Sequence, residues 1–210
     1  MHARFHDRKE AGQRLAARLE SYAGRPDVIV LALPRGGVPV GAEVASAIGA
    51  PLDVFVVSKL GLPMQPELAM GAVASGGVRV LNEDVLREAG VPPAALEEVT
   101  ARARAAVEAR ERLYRGDRPA PALAGRDTVL VDDGLATGAT MRAAVAAVRA
   151  LGPSRLVVAV PIAPAETVAA FARDGIELAC VHAPRDFVSV GSWYRDFGQV
   201  SDEEVIRLVP

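Results

Sequence analysis

Two adjacent carboxylates, Asp132 and Asp133, close an apolar run in the stretch VLVDDGLATGAT (129–140) and are followed mostly by small, hydroxylated or glycine positions. Helical spacing begins directly afterwards, which puts Thr137, Gly138, Ala139 and Thr140 at the amino end of a helix. Unpaired backbone N–H groups and the positive end of the helix dipole suit a phosphate there, and the two hydroxyls add donors. Gly134, Leu135 and Ala136 carry the chain from the acids to this cradle. The acids would repel the same phosphate, so they must hold something else. Vicinal hydroxyls, as on a ribose, satisfy carboxylate acceptors, and a Mg²⁺ ion nearby would offset the remaining charge. Together these features describe a seat for a ribose 5-phosphate. A Walker phosphate loop is excluded because its GKS or GKT ending is missing. The bland alternative is an acidic first turn in an ordinary α/β protein.

A second stretch, LALPRGGVPVG (31–41), repeats the arrangement: a buried run, a glycine turn, then helical spacing. Backbone N–H groups at Gly36 and Gly37 could wrap anionic oxygens while Arg35 adds charge. A plain tight turn explains the same residues equally well.

The elements that must position these groups follow from periodicity. VIVLAL (28–33), LDVFVV (52–57), TVLVDD (128–133), RLVVAVP (155–161) and ELACVH (177–182) read as strands buried on both faces. Helical patterns between them stop at Gly49, Gly152 and Gly175. This predicts an α/β fold: a doubly wound, mostly parallel sheet flanked by helices, as a single domain over 1–210. In such sheets ligands bind beyond the carboxyl ends of the strands, where both stretches lie. Residues 58–81 read as a Pro- and Gly-rich loop followed by a β-hairpin, 82–118 as a helical insertion, 118–125 as a surface connector, and 183–210 as a hood or tail.

Composition narrows the function class. The chain has 210 residues, half of them hydrophobic, and a formal net charge of −2, so neither nucleic acid nor an anionic membrane is an expected partner. Its charged opening MHARFHDRKE and the lack of a long apolar run argue against a leader or a membrane span and favour a cytoplasmic location. Cys180 is the only cysteine, so no internal disulfide or cysteine-built metal site can form, and the thiol reads as core filling. His2, His6 and His182 offer no metal-ligand spacing, so no metal is expected to be held by protein alone.

VLVDDGLATGATM resembles the phosphoribosyl-pyrophosphate (PRPP) motif of the type I phosphoribosyltransferases, and its DD…LATGxTM pattern is most similar to the adenine phosphoribosyltransferases. The resemblance implies transfer of the phosphoribosyl group of PRPP to a small nitrogen-containing acceptor, with Mg²⁺ arriving on PRPP, in a homodimer. Asp132 and Asp133 would orient the ribose, and residues Gly134 to Thr140 would bind its 5-phosphate. Pro34, Arg35, Gly36 and Gly37 would bind pyrophosphate, with a strained or cis peptide at Pro34–Arg35. A mobile lid over 58–71 is implied, with Gly61, Pro63 and Pro66 suited to it, Lys59 meeting pyrophosphate and Glu67 either contacting the acceptor or remaining a solvated acid. The tail DFVSVGSWYRDFGQV (186–200) resembles that of the 6-oxopurine phosphoribosyltransferases, which would bring Arg195 to pyrophosphate. Trp193 or Tyr194 would stack on the acceptor or, as readily, pack in the core. Ala136 stands where 6-oxopurine relatives carry a catalytic aspartate, and the interval from Gly191 to Arg195 is shorter than theirs. A non-catalytic PRPP-binding regulator therefore stays beside the enzyme as the second reading.

Overall fold

The computed structural model describes residues 4–62 and 65–209. Helix α1 (Arg8–Ala16) leads to β1 (Val28–Ala32), α2 (Gly37–Ile48) and β2 (Leu52–Val54), and then to three strands, β3 (Val57–Leu62), β4 (Gln65–Ala74) and β5 (Val78–Leu81). Two helices, α3 (Glu83–Ala89) and α4 (Pro93–Arg115), precede β6 (Asp127–Val131), α5 (Ala139–Ala150), β7 (Arg155–Ile162), α6 (Ala165–Arg173), β8 (Glu177–His182) and α7 (Asp202–Leu208).

Five strands form a parallel sheet in the order β2-β1-β6-β7-β8. β1 and β6 are buried along their whole length, which explains why both read as unbroken apolar runs. Alternate residues serve opposite faces: Val28, Val30 and Ala32 pack with α1 and α2, whereas Ile29 and Leu31 pack with Met141, Ala144 and Val148 of α5. The chain runs outward from β1 to β2 and then returns to lay β6 on the other side of β1. Strand order therefore reverses between β1 and β6, and a crevice opens there at the carboxyl ends. Ala32 pairs with Val131 in register, so the Pro34–Gly37 turn and the Asp132–Asp133 pair leave the sheet side by side.

Two expectations change. LDVFVV is not one strand: β2 stops at Val54, and Val57 opens a separate sheet. The expected loop 58–71 is instead β3 and β4 of an antiparallel three-stranded sheet β3-β4-β5. Its glycines mark irregular pairing rather than a loop, because the register shifts on either side of Gly61. At Gly71 a side chain would meet the Val80 carbonyl oxygen at 2.4 Å. Pro63 lies outside the described residues, as do the side chains of Pro66 and Glu67. The helical insertion is present as α3 and α4, while α1 and α7 were not anticipated; Asp7 and Ser201 cap them, accepting from Glu10 N and Glu204 N.

One buried arginine docks the insertion on the parallel sheet. The Arg115 side chain, 4 % exposed, donates to both Asp53 carboxylate oxygens at 3.1 and 3.2 Å, to Glu111 Oε1 at 2.8 Å and to the Val54 carbonyl at 2.9 Å. Removing one partner of such a group leaves the others buried and unpaired. Arg115→Ala should lower unfolding stability by about 3–5 kcal/mol in urea denaturation; an unchanged midpoint would contradict this anchoring.

Candidate functional site

The two turns are locked against each other by the lack of side chains on one of them. A Cβ on Gly36 would lie 2.2 Å from Asp133 Oδ2, and one on Gly37 would lie 2.8 Å from the Val131 carbonyl and 2.9 Å from Asp132 Cα. Only glycine lets the first turn approach the acid pair this closely. The Pro34–Arg35 peptide is cis, as the resemblance implied.

Each acid has one oxygen engaged and one left over. Asp132 Oδ1 accepts the Asp133 N–H at 2.8 Å, and Asp133 Oδ2 accepts from Arg8 Nε at 2.9 Å. Asp132 Oδ2 and Asp133 Oδ1 have no hydrogen-bond partner among the described residues. Burial raises the pKa of both carboxyls above the usual carboxylate range, and the neighbouring Asp133 charge raises that of Asp132 further. At Asp133 the Arg8 guanidinium opposes the effect of burial. Full ionisation of the pair is therefore disfavoured in the ligand-free protein, and donors or a cation brought by a ligand would favour the charged forms.

Beyond the acids the loop is open. Ala136, Thr137, Ala139 and Thr140 are exposed, and α5 starts at a glycine N-cap with no capping side chain, its first N–H, that of Ala139, making only a long 3.4 Å bond to Thr137 Oγ1. Gly138 adopts φ +75°, and a Cβ there would strike the Phe171 ring at 2.6 Å. Thr167 Oγ1 of α6 donates to the Ala136 carbonyl at 2.7 Å, and Arg142 of α5 pairs with Asp174 while covering the face of the α6 Phe171 ring at 4.5 Å. The loop's shape is thus imposed from below, leaving its upper side to solvent. Gly134 fits against Ile162 and Val190, which a Cβ would meet at 2.7 and 2.6 Å.

Comparison with known proteins coincides with this geometry. The family model "Phosphoribosyl transferase domain" matches residues 66–171, just over half the chain, including the acid pair and the cradle. This chain belongs to the phosphoribosyl transferase domain family. It is 49% identical over 205 residues to a protein of Mycobacterium tuberculosis (strain ATCC 25618 / H37Rv) named "Putative phosphoribosyl transferase Rv0571c". The alignment takes in 98% of this chain and 46% of that protein, so the chain spans about half the length of the curated relatives it matches. The crystal structure of TT1426 from Thermus thermophilus superposes with a TM-score of 0.89 at 46% identity, covering 98% of this chain and 97% of that one. AQ2163 from Aquifex aeolicus, 12% identical with a TM-score of 0.50 over 84% of this chain and 74% of its own, shares the fold.

Against this family pattern, the remaining sequence candidates fall into two groups. Pro34, Arg35, Gly36 and Gly37 sit beside the acids, but the exposed Arg35 side chain reaches toward α7, 3.9 Å from Asp202. There it lines a polar recess of about 450 Å³ with Pro34, Arg110, Leu113, Tyr114 and Asp202. Lys59 lies opposite Ala72 in the β3–β4 hairpin, and Arg195 is exposed with its N–H bonded to the Phe5 carbonyl at 2.9 Å. Among the described residues neither Lys59 nor Arg195 bonds to the acid pair or to the turn. Stacking of Trp193 or Tyr194 on an acceptor is not what the structure supports. Both rings are buried in a cluster with Phe5 and Ile162, and the Tyr194 hydroxyl donates to the Asp133 carbonyl at 2.6 Å. Glu67 belongs to β4, with its side chain outside the described residues. Cys180 is a packing thiol whose pKa burial pushes up to about 11.

Arg8 was missed altogether, since an ion pair spanning 125 positions leaves no periodic trace. Among the described residues no group of three or more His, Cys, Asp or Glu could hold a metal, and no helix is long and apolar enough to cross a membrane.

The buried charge gives a test. An acid whose pKa is raised on folding destabilises the fold when ionised: stability falls as pH rises from the ordinary carboxylate range through the folded pKa, then levels. Asp132→Asn removes that charge and keeps the Oδ1 acceptor. The variant should match the parent at about pH 3, where both side chains are neutral, and exceed it at neutral pH by about 1 kcal/mol, or roughly 3 °C in Tm. A lower Tm for the variant at neutral pH would contradict the assignment.

Proposed function

We propose that the chain is the PRPP-binding part of a Mg²⁺-dependent phosphoribosyltransferase, acting as a homodimer, that transfers the phosphoribosyl group to a nitrogen acceptor such as a nucleobase. The observation that carries this reading is the pair of leftover carboxylate oxygens on Asp132 and Asp133, set between a glycine turn and a helix start whose N-cap is a glycine. Two hydroxyls of a pentose match two acceptors, and phosphates match the amide-rich turns on either side.

In this reading Thr137 to Thr140 grip the 5-phosphate and Gly36 presents its N–H to pyrophosphate, while the Gly37 N–H, expected to share that role, is donated to the Leu33 carbonyl at 3.0 Å. The C1–O bond to pyrophosphate breaks with its electron pair, C1 passes through an oxocarbenium-like state, and a C1–N bond forms as the acceptor gives up its proton to the medium. The chain contributes chiefly positioning and charge stabilisation. Ionisation of the acid pair, disfavoured in the ligand-free protein, would be favoured by an ion that arrives with the substrate oxygens. Such an ion would supply counter-charge to the leaving pyrophosphate.

The exposed Ala136 favours a second reading. With no acid–base side chain at that loop position, a PRPP-binding regulator would need nothing further. Incubating the protein with PRPP, Mg²⁺ and a panel of purines, pyrimidines and other nitrogen acceptors, while following pyrophosphate, separates the two. Acceptor-dependent release is expected; PRPP binding by calorimetry without release for any acceptor would establish the regulator, and no binding would refute both.

A further inference from the structure

The guanidinium of Arg8 is engaged on three sides, and each engagement concerns the site. Nε donates to Asp133 Oδ2 at 2.9 Å, and Nη1 donates to the Gly198 carbonyl at 2.7 Å. Its carbon lies 3.9 Å from the centroid of the Phe197 ring. The ion pair is well shielded, with side-chain exposures of 13% and 15%. An ion pair of this kind is far less screened than the exposed pairs elsewhere on the molecule.

The N-terminal segment is itself tied to the tail. Phe5 N donates to the Trp193 carbonyl and Arg195 N to the Phe5 carbonyl, both at 2.9 Å, and Asp196 N donates to the His6 carbonyl at 2.8 Å. Asp7 then caps α1. One residue further, Arg8 is delivered to the end of β6, so its place follows from backbone pairing rather than from a freely mobile side chain.

We infer that Arg8 is a positioning residue for sugar recognition: by occupying Asp133 Oδ2 it fixes the carboxylate and leaves Oδ1 as the acceptor for a sugar hydroxyl. The inference rests on the PRPP reading, since without a polyol ligand the leftover oxygen has nothing to accept from. Asp133 needs such a partner. The ionisable side chains facing it are Asp132 from its own loop and Arg8 from α1; from the tail, the Tyr194 hydroxyl binds its carbonyl; from α2 only the Gly36–Gly37 turn approaches. Burial disfavours the ionised form that a hydroxyl donor requires, and among these side chains it is Arg8 that favours it, through its charge and its hydrogen bond.

The test combines a ligand-free and a ligand-bound readout on the full chain. In the ligand-free protein, carboxyl carbon NMR should place the Asp133 titration at higher pH in Arg8→Gln than in the parent, with Arg8→Lys close to the parent. Calorimetry with PRPP and Mg²⁺ should give at least tenfold weaker binding for Arg8→Gln at neutral pH. The acidic limb of the affinity profile should move to higher pH. Arg8→Lys, which keeps the charge, should restore the limb. Phe197→Leu, which removes the stacked ring but keeps the ion pair, should leave the limb in place. If the parent fails to bind PRPP, the functional reading falls while the titration still tests the Arg8–Asp133 coupling. If the parent binds and Arg8→Gln binds equally well with the same pH profile, the inference is overturned. Equal loss in Arg8→Gln and Arg8→Lys with no movement of the limb would reduce Arg8 to a structural strut, which also overturns it.

Discussion

Two carboxylates on consecutive residues, drawn partly out of water at the end of a central strand, are expensive to maintain. Burial alone disfavours both charges, and each disfavours the other. Around this pair the structure supplies compensation piecemeal: the Asp133 N–H to Asp132, the Arg8 guanidinium to Asp133. It also crowds the pair with a glycine turn that no side chain could share. The compensation stops one oxygen short on each acid. A protein selected only for stability would place amides or apolar groups here. The uncompensated remainder is what the proposed function draws on, two acceptors left open at the mouth of the crevice.

The parallel sheet explains why that capacity lies where it does. Because β6 is laid beside β1 only after β2 has formed the edge, the two turns emerge from neighbouring strands at the same level. Neither would make a site alone. Helix α6 shapes the loop after the acids from underneath through Thr167 and Phe171, so the cradle is rigid on its buried side and open on the other. Recognition groups thus lie at the ends of rigid elements, which limits the ordering cost of binding.

Much of this was legible in the sequence where local chemistry is decisive. The acid pair, the small-residue cradle, the glycine turn and the five core strands announce themselves through composition and spacing within a dozen positions. The hairpin over β3 and β4 was obscured because Pro and Gly mark both loops and irregular strand pairing, and only the partner strand distinguishes them. Trp193 and Tyr194 were ambiguous because an aromatic ring serves a core or a ligand with the same atoms; their burial with Phe5 is a long-range fact. Arg35 was rightly placed on the turn, yet its side chain's direction toward Asp202 depends on α7, which was not foreseen. Arg8 sits in a charged opening whose local pattern says no more than the start of a helix.

The pairing of residues 5–6 with 193–196 has a bearing on how the molecule comes into being. During synthesis α1 is made long before residues 193–196 and has no tail to join until they emerge. The strands and the glycine turn can assemble beforehand from contacts of shorter span, while the clasp on Asp133 must wait for residues 193–198 to emerge. A nascent chain would therefore hold a formed sheet with its acid pair still unclasped until that tail joins α1.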